Sequence, residues 1–233
     1  MNNIIPAIMP KNYDELYSAI ESVADLVSVV QIDIMDGQFV PDFSWPYASK
    51  IPKATEEHFL NMVAEKEGLP FWEKIDVELD LMVQDADVTF AEWIAIGPRR
   101  IILHIESLQN PDKTFQENQA LRDIVEIGIS LNNDTSNEAI EKYIDKVDFI
   151  QFMGISRIGF QGQEFDARVL EKIKYFHKKY PKLPISVDGA VNEDTLKSLK
   201  DAGVTRFVAG SAVFGRDNKS ADVEYNIETL ERI

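Results

Sequence analysis

Apolar residues recur along the chain in eight short runs: IIPAIM, LVSVVQIDIM, IDVELDLMV, RRIILHI, EIGISLN, VDFIQFMG, LPISVDG and VTRFVAG. Their lengths and β-branched content predict strands. Most are separated by stretches with the period of an amphipathic helix, and several of these open on start signals. Asn110 before Pro111 reads as an N-cap with a first-turn proline, Thr135 with Glu138 as a capping box, and Asn192 as the residue that opens NEDTLKSLK. No Ser/Gly-rich linker, low-complexity segment or break in composition interrupts the alternation. Eight strand-then-helix units therefore predict an α/β fold, a (β/α)8 TIM barrel forming a single domain over residues 1–233. An open doubly wound sheet is the runner-up, and the GxGxxG that would support dinucleotide binding does not follow the first strand.

In such a barrel, inward and outward side chains alternate, and chemistry sits where strands end at the C-terminal face. In VVQIDIMDGQFVPD, Val30, Ile32 and Ile34 then face the surrounding helices, while Gln31, Asp33 and Met35 face the axis. Asp36 and Gly37 begin the turn. The same alternation points Glu78, Asp80 and Met82 inward on the third strand, His104 on the fourth, Gln151 and Met153 on the sixth, and Ser186 and Asp188 on the seventh. A single inward Asp reads as a turn cap. Asp33, Asp80 and Asp188 converging from three strands repel one another unless a cation or proton compensates, and Lys74, Lys146 and Lys182 precede their strands, which puts them at the opposite end. A divalent metal is the expected partner. The missing strand-end lysine also counts against Schiff-base aldolase chemistry.

The totals narrow the function classes. A formal charge of −16 argues against nucleic acid and anionic membranes as partners, and no apolar run approaches the length of a membrane span. MNNIIPAIMPKNY carries no targeting signal, so a cytoplasmic location is expected. With no cysteine in the chain, metal ligands come from Asp, Glu, His, Asn and Gln. Glycines cluster in GFQGQEF, VDGAVN and VAGSAVFG after the last three strands. Loops there can cradle a phosphate with backbone N–H groups, which suits an acidic protein. Arg157 lies in the first of these loops, where it could meet an anion or stand as a solvated charge. His58 and His177 fall on helices and read as surface residues, and His104 as an interior one near Glu106. The segment from Gly37 to about Ala54 is long for a strand-to-helix connection and holds Phe43, Trp45 and Tyr47, so it reads as part of a lid or as a packed flap.

Taken in order, QIDIMDGQFVP, ELDLMV, ILHIE, GFQGQEF, VDGAVN and VAGSAVFG resemble the ribulose-phosphate 3-epimerases over nearly the whole chain. The resemblance implies a divalent metal and a phosphorylated ketose, with two aspartates exchanging the C3 proton through an enediolate. Matched by motif, the acid/base pair is Asp33 and Asp188. The metal set is Gln31, Asp33, Asp80 and Asp188, with Gln31 and Asp80 standing where the family has histidines. That exchange makes an all-oxygen site and shifts the expected ion from zinc or iron to magnesium or manganese. The methionines lining the enediolate match Met35, Met82 and Met153, and the phosphate positions match Gly159, Gly162, Gly189, Gly210 and Ser211. Ala190 replaces the second glycine of the family's DGG, and Gln38 the histidine after MDG. The family is commonly oligomeric, so a homo-oligomer is an expectation. D-ribulose 5-phosphate is the first substrate implied, with a hexulose 6-phosphate epimerase or lyase, or a non-catalytic sugar-phosphate binder, as alternatives.

Overall fold

The computed structural model describes residues 2–47, 54, 56–160, 162–215 and 222–233. Eight strands are present where the apolar runs predict them: β1 (Ile4–Ile8), β2 (Val29–Met35), β3 (Asp76–Met82), β4 (Arg100–His104), β5 (Glu126–Leu131), β6 (Phe149–Met153), β7 (Ile185–Asp188) and β8 (Arg206–Ala209). They form one closed barrel in chain order. The helices are α1 (Tyr13–Glu21), α2 (Glu57–Val63), α3 (Phe90–Ala95), α4 (Pro111–Glu117), α5 (Glu138–Glu141), α6 (Arg168–Lys179), α7 (Glu193–Ala202), α8 (Ser211–Phe214) and α9 (Val223–Arg232). Backbone contacts divide the chain into two compact units, one of Ile8–Gly128 and one of Met1–Ala7 with Ile129–Ile233.

In the unit Ile8–Gly128, the alternation along β2 and β3 sets the register. Val30, Ile32 and Ile34 on β2, and Leu79 and Leu81 on β3, are all but inaccessible to solvent. A slip of one residue would exchange these apolar side chains with the polar ones that alternate with them, so the alternation specifies a single pairing. Phe59 of α2 and Trp93 of α3 meet with ring centroids 5.0 Å apart. Trp45 and Tyr47 from the connection after β2 join this cluster, Trp45 lying 5.9 Å from Phe59 and Tyr47 6.4 Å from Trp93. Both are buried, and Trp45 donates its indole N–H to Glu56 at 2.9 Å. The described part of this connection is therefore a packed flap, anchored by its aromatics. Residues 48–53 and 55, the remainder of the expected lid, lie outside the described residues.

In the unit containing Ile129–Ile233, Asn192 caps α7. Its side chain accepts from the backbone of Asp194 and Thr195, and the Thr195 hydroxyl answers the Asn192 N–H. In the unit Ile8–Gly128, Pro111 opens α4, and Asn110 accepts from the Lys113 N–H at 3.1 Å. The expected capping box of Thr135 and Glu138 does not form: α5 begins at Glu138 after Asn137, with no side-chain cap. The reason lies in tertiary structure. The Lys172 ammonium gathers the backbone carbonyls of Asn132, Asn133 and Thr135, holding the chain as a turn where a cap would need it extended. No helix among the described residues is long and apolar enough to cross a membrane.

Candidate active site

The pairing of β2 with β3 sets polar residues side by side: Gln31 opposite Glu78, Asp33 opposite Asp80, and Met35 opposite Met82. Parallel partners in register present their side chains to the same face, so one buried apolar face leaves a continuous polar row on the other. Gln31, Glu78 and Asp80 are fully buried, and Asp33 is 6% exposed. Two hydrogen bonds organise the row. Gln31 donates its amide Nε2 to Asp33 Oδ1 at 2.8 Å. His104, at the end of β4, lies with Nε2 3.0 Å from Asp80 Oδ1, both side chains fully buried.

The turn that follows β2 fixes the end of the strand bearing Asp33. Asp36 accepts the N–H groups of Gln38 and Phe39 through Oδ1, closing the MDGQF turn, and that of Gln84 through Oδ2, tying the turn to the exit of β3. Ser44 returns to the strand: its hydroxyl donates to the Asp33 carbonyl at 2.6 Å and accepts the Met35 N–H at 2.9 Å. Asp36 thus has a structural job, as its place at the turn predicts. Ser44 carries no recognisable signal in the sequence, because its contacts depend on how the connection folds back.

On the other unit, β6, β7 and β8 are consecutive parallel neighbours, with Met153 opposite Asp188 and Gln151 opposite Ser186. The Ser186 hydroxyl donates to Gln151 Oε1 at 3.3 Å, and that of Ser130 reaches the Met153 sulfur at 3.5 Å. Gly154 joins the two strand ends: its N–H donates to the Asp188 carbonyl at 2.6 Å, and its own carbonyl accepts the Asp166 N–H, closing the loop after β6. Within that loop stand Gly159 and Gly162, both at positive φ, and Arg157, whose guanidinium lies 5.4 Å from the Phe160 ring centre. Gly189 follows β7 at φ 94°, with Ala190 at φ 54° behind it. Gly210 follows β8, and Ser211 opens α8. The phosphate candidates therefore occupy three adjacent strand ends. Met35, Met82 and Met153 are all buried.

Asp33, Asp80 and Asp188 can each offer one carboxylate oxygen, and the three oxygens lie within 4.8 Å of one another. Such a set suits a hard divalent cation, which would compensate the gathered charge and takes oxygen ligands by preference. Gln31 can add a carbonyl oxygen, since its hydrogen bond to Asp33 uses the nitrogen. The three gathered carboxylates offer oxygen alone. The inward histidine reads from the sequence only as interior; its engagement with Asp80 depends on the stagger between β3 and β4, which no local pattern encodes.

Comparison with known proteins gives the same direction. The profile described as the ribulose-phosphate 3 epimerase family matches residues 3–214. A ribulose-phosphate 3-epimerase of Helicobacter pylori is 31% identical over 235 residues, covering 99% of this chain and 97% of its own. That of Bacillus subtilis is 28% identical over 227 residues, covering 94% and 95%. Among solved structures, the 3-keto-L-gulonate-6-phosphate decarboxylase of Vibrio cholerae superposes with a TM-score of 0.64 at 14% identity, covering 99% of this chain and 98% of that one. At that identity the likeness is one of fold.

Proposed function

Since the chain belongs to the ribulose-phosphate 3-epimerase family, we propose that it inverts C3 of a ketose phosphate by two-aspartate proton exchange, with D-ribulose 5-phosphate and D-xylulose 5-phosphate the first pair to try. The observation that carries this reading is the gathering of Asp33 and Asp188 with Asp80, because a protein that only binds sugar phosphate has little use for buried carboxylates. Asp33, ionised, takes the C3 proton; the electron pair of the broken C–H bond moves into the C2–C3 bond, and the C2 carbonyl becomes an oxyanion. Asp188, protonated, returns a proton to the opposite face of C3, and the carbonyl re-forms with inverted configuration. Proton transfer of this kind contributes roughly 10²- to 10⁴-fold to rate. Gln31, Asp33, Asp80 and Asp188 would hold a divalent ion, which would supply Lewis-acid stabilisation of the oxyanion.

Met35, Met82 and Met153 offer a polarizable, water-poor wall to the flat enediolate, which protects it from stray protonation. Gly159, Gly162, Gly189, Gly210 and Ser211 hold the phosphate through backbone N–H groups and one hydroxyl. That mode of binding leaves the acidic chain without need of a basic cluster.

The test is chelation followed by separate addition of magnesium, manganese, zinc and iron, with NMR detection of D-xylulose 5-phosphate formed from D-ribulose 5-phosphate. We expect turnover to vanish with the chelator, to return best with magnesium or manganese, and to fall by about 10²-fold or more in Asp188→Asn. Binding of the sugar phosphate without turnover under every ion, unchanged by Asp188→Asn, would make the protein a non-catalytic binder. Turnover of a hexulose 6-phosphate alone would move the substrate assignment and leave the site.

A further inference from the structure

The buried histidine next to Asp80 comes from a different strand, β4. The Nε2 atom of His104 is 3.0 Å from Asp80 Oδ1, and neither side chain is exposed. With Asp80 ionised, as a cation ligand must be, this nitrogen carries the proton and donates it. The ring is itself held. Phe39 packs on it with centroids 5.6 Å apart, and the Phe39 N–H is tied to Asp36, so the turn after β2 covers the imidazole.

A carboxylate can rotate about its last bond and can bind a cation through one oxygen or two. Engaging Oδ1 with a fixed N–H removes that freedom, so that a single oxygen of Asp80 serves the ion. We propose that His104 is a positioning residue: it fixes Asp80 as a one-oxygen ligand of the cation. The hydrogen bond also draws charge from Asp80. An extra carboxylate would otherwise bind the ion more tightly while blunting its pull on the substrate carbonyl. This inference rests on the metal-site reading above. The partnership of His104 with Asp80 parallels that of Gln31 with Asp33, each reaching an Oδ1 of its carboxylate.

The test measures manganese affinity of the full chain by the EPR signal of free Mn²⁺, in wild type and in His104→Leu, His104→Asn and His104→Gln, with thermal melts alongside. Losing the partner that orients a ligand weakens metal binding by about 10- to 100-fold. Leu fills the space without a donor, Asn has a donor too short to reach, and Gln can place an amide N–H near the Nε2 position. We expect Leu and Asn to weaken binding by about 10-fold or more, and Gln to stay within about 3-fold of wild type. If Leu fails to fold, Asn against Gln carries the comparison. Equal affinity in all variants, or equal loss in Gln and Asn, overturns the positioning role and leaves the metal site standing. Absence of manganese binding in the wild type overturns the metal site itself, and His104 with it.

Discussion

Ala190 holds a backbone conformation that an L-residue adopts at a cost, with φ at 54°. The strain has a local use, since the Ala190 carbonyl accepts the Thr195 hydroxyl at 2.7 Å and the Asn192 amide at 3.1 Å, joining the exit of β7 to the cap of α7. Ala190→Gly is expected to stabilise the protein by about 1 kcal/mol, measured by chemical denaturation. A loss of stability would mean that flexibility in the unfolded chain outweighs the relieved strain. At this scale the identities of the site residues are legible in the sequence, because strand alternation and motif order by themselves select Asp33, Asp80 and Asp188. The hydrogen bonds among them are not. Whether Gln31 offers its nitrogen or its oxygen to Asp33, and whether His104 reaches Asp80, depends on fractions of an ångström set by strand stagger.

Strand ends and turns decide how firmly the site is held. A Cβ built on Gly154 would collide with the Gly189 carbonyl oxygen, so β6 and β7 can approach at this point only because residue 154 lacks a side chain. Gly154→Ala is expected to lower stability by about 1–3 kcal/mol or more and to reduce turnover as well, because the displaced strand end bears Asp188. Unchanged melting temperature and unchanged turnover would show that the neighbouring backbone yields freely. In the sequence this glycine only closes the sixth apolar run, VDFIQFMG; its close approach is a long-range fact. The strands themselves are legible because the runs of apolar residues that mark them are local, whereas the start of α5 is not, since a lysine from α6 reshapes the preceding turn.

Between α1 and α2 a second contact carries its own pH dependence. The Tyr13 and His58 rings stack with centroids 3.6 Å apart, and both groups reach Glu67. Burial, reinforced by the hydrogen bond to Glu67, pushes the Tyr13 hydroxyl up to about 12. The hydrogen bond to Glu67 raises His58 above its ordinary 6.5. A base raised on folding gives stability that is complete below its unfolded value and is lost as pH rises through its folded one. The contact therefore helps below about pH 6.5 and fades above His58's raised value. Thermal melts across pH 5–9 should show this contribution in the wild type and lack it in His58→Gln; identical profiles would contradict it.

For the whole molecule, the formal charge of −16 sets a field that opposes an anionic sugar phosphate. Screening relieves it: the Debye length falls from about 30 Å at about 0.01 M salt to about 8 Å at about 0.15 M. kcat/KM for a ketose phosphate is thus expected to rise with ionic strength over that range, opposite to an enzyme that steers its substrate with a basic surface. A fall would place an undetected local attraction in control. The barrel itself is readable from the order of eight apolar runs, and the closed strand order follows it.

If two aspartates exchange the C3 proton of a ketose phosphate, solvent deuterium reports on that step directly. The manganese-loaded protein is incubated with D-ribulose 5-phosphate in D₂O, and C3 is followed by NMR. Deuterium is expected at C3, together with D-xylulose 5-phosphate, and incorporation about 10²-fold slower in Asp33→Asn and in Asp188→Asn. No deuterium at C3 of any ketose phosphate tried, with magnesium, manganese, zinc or iron supplied, would contradict it.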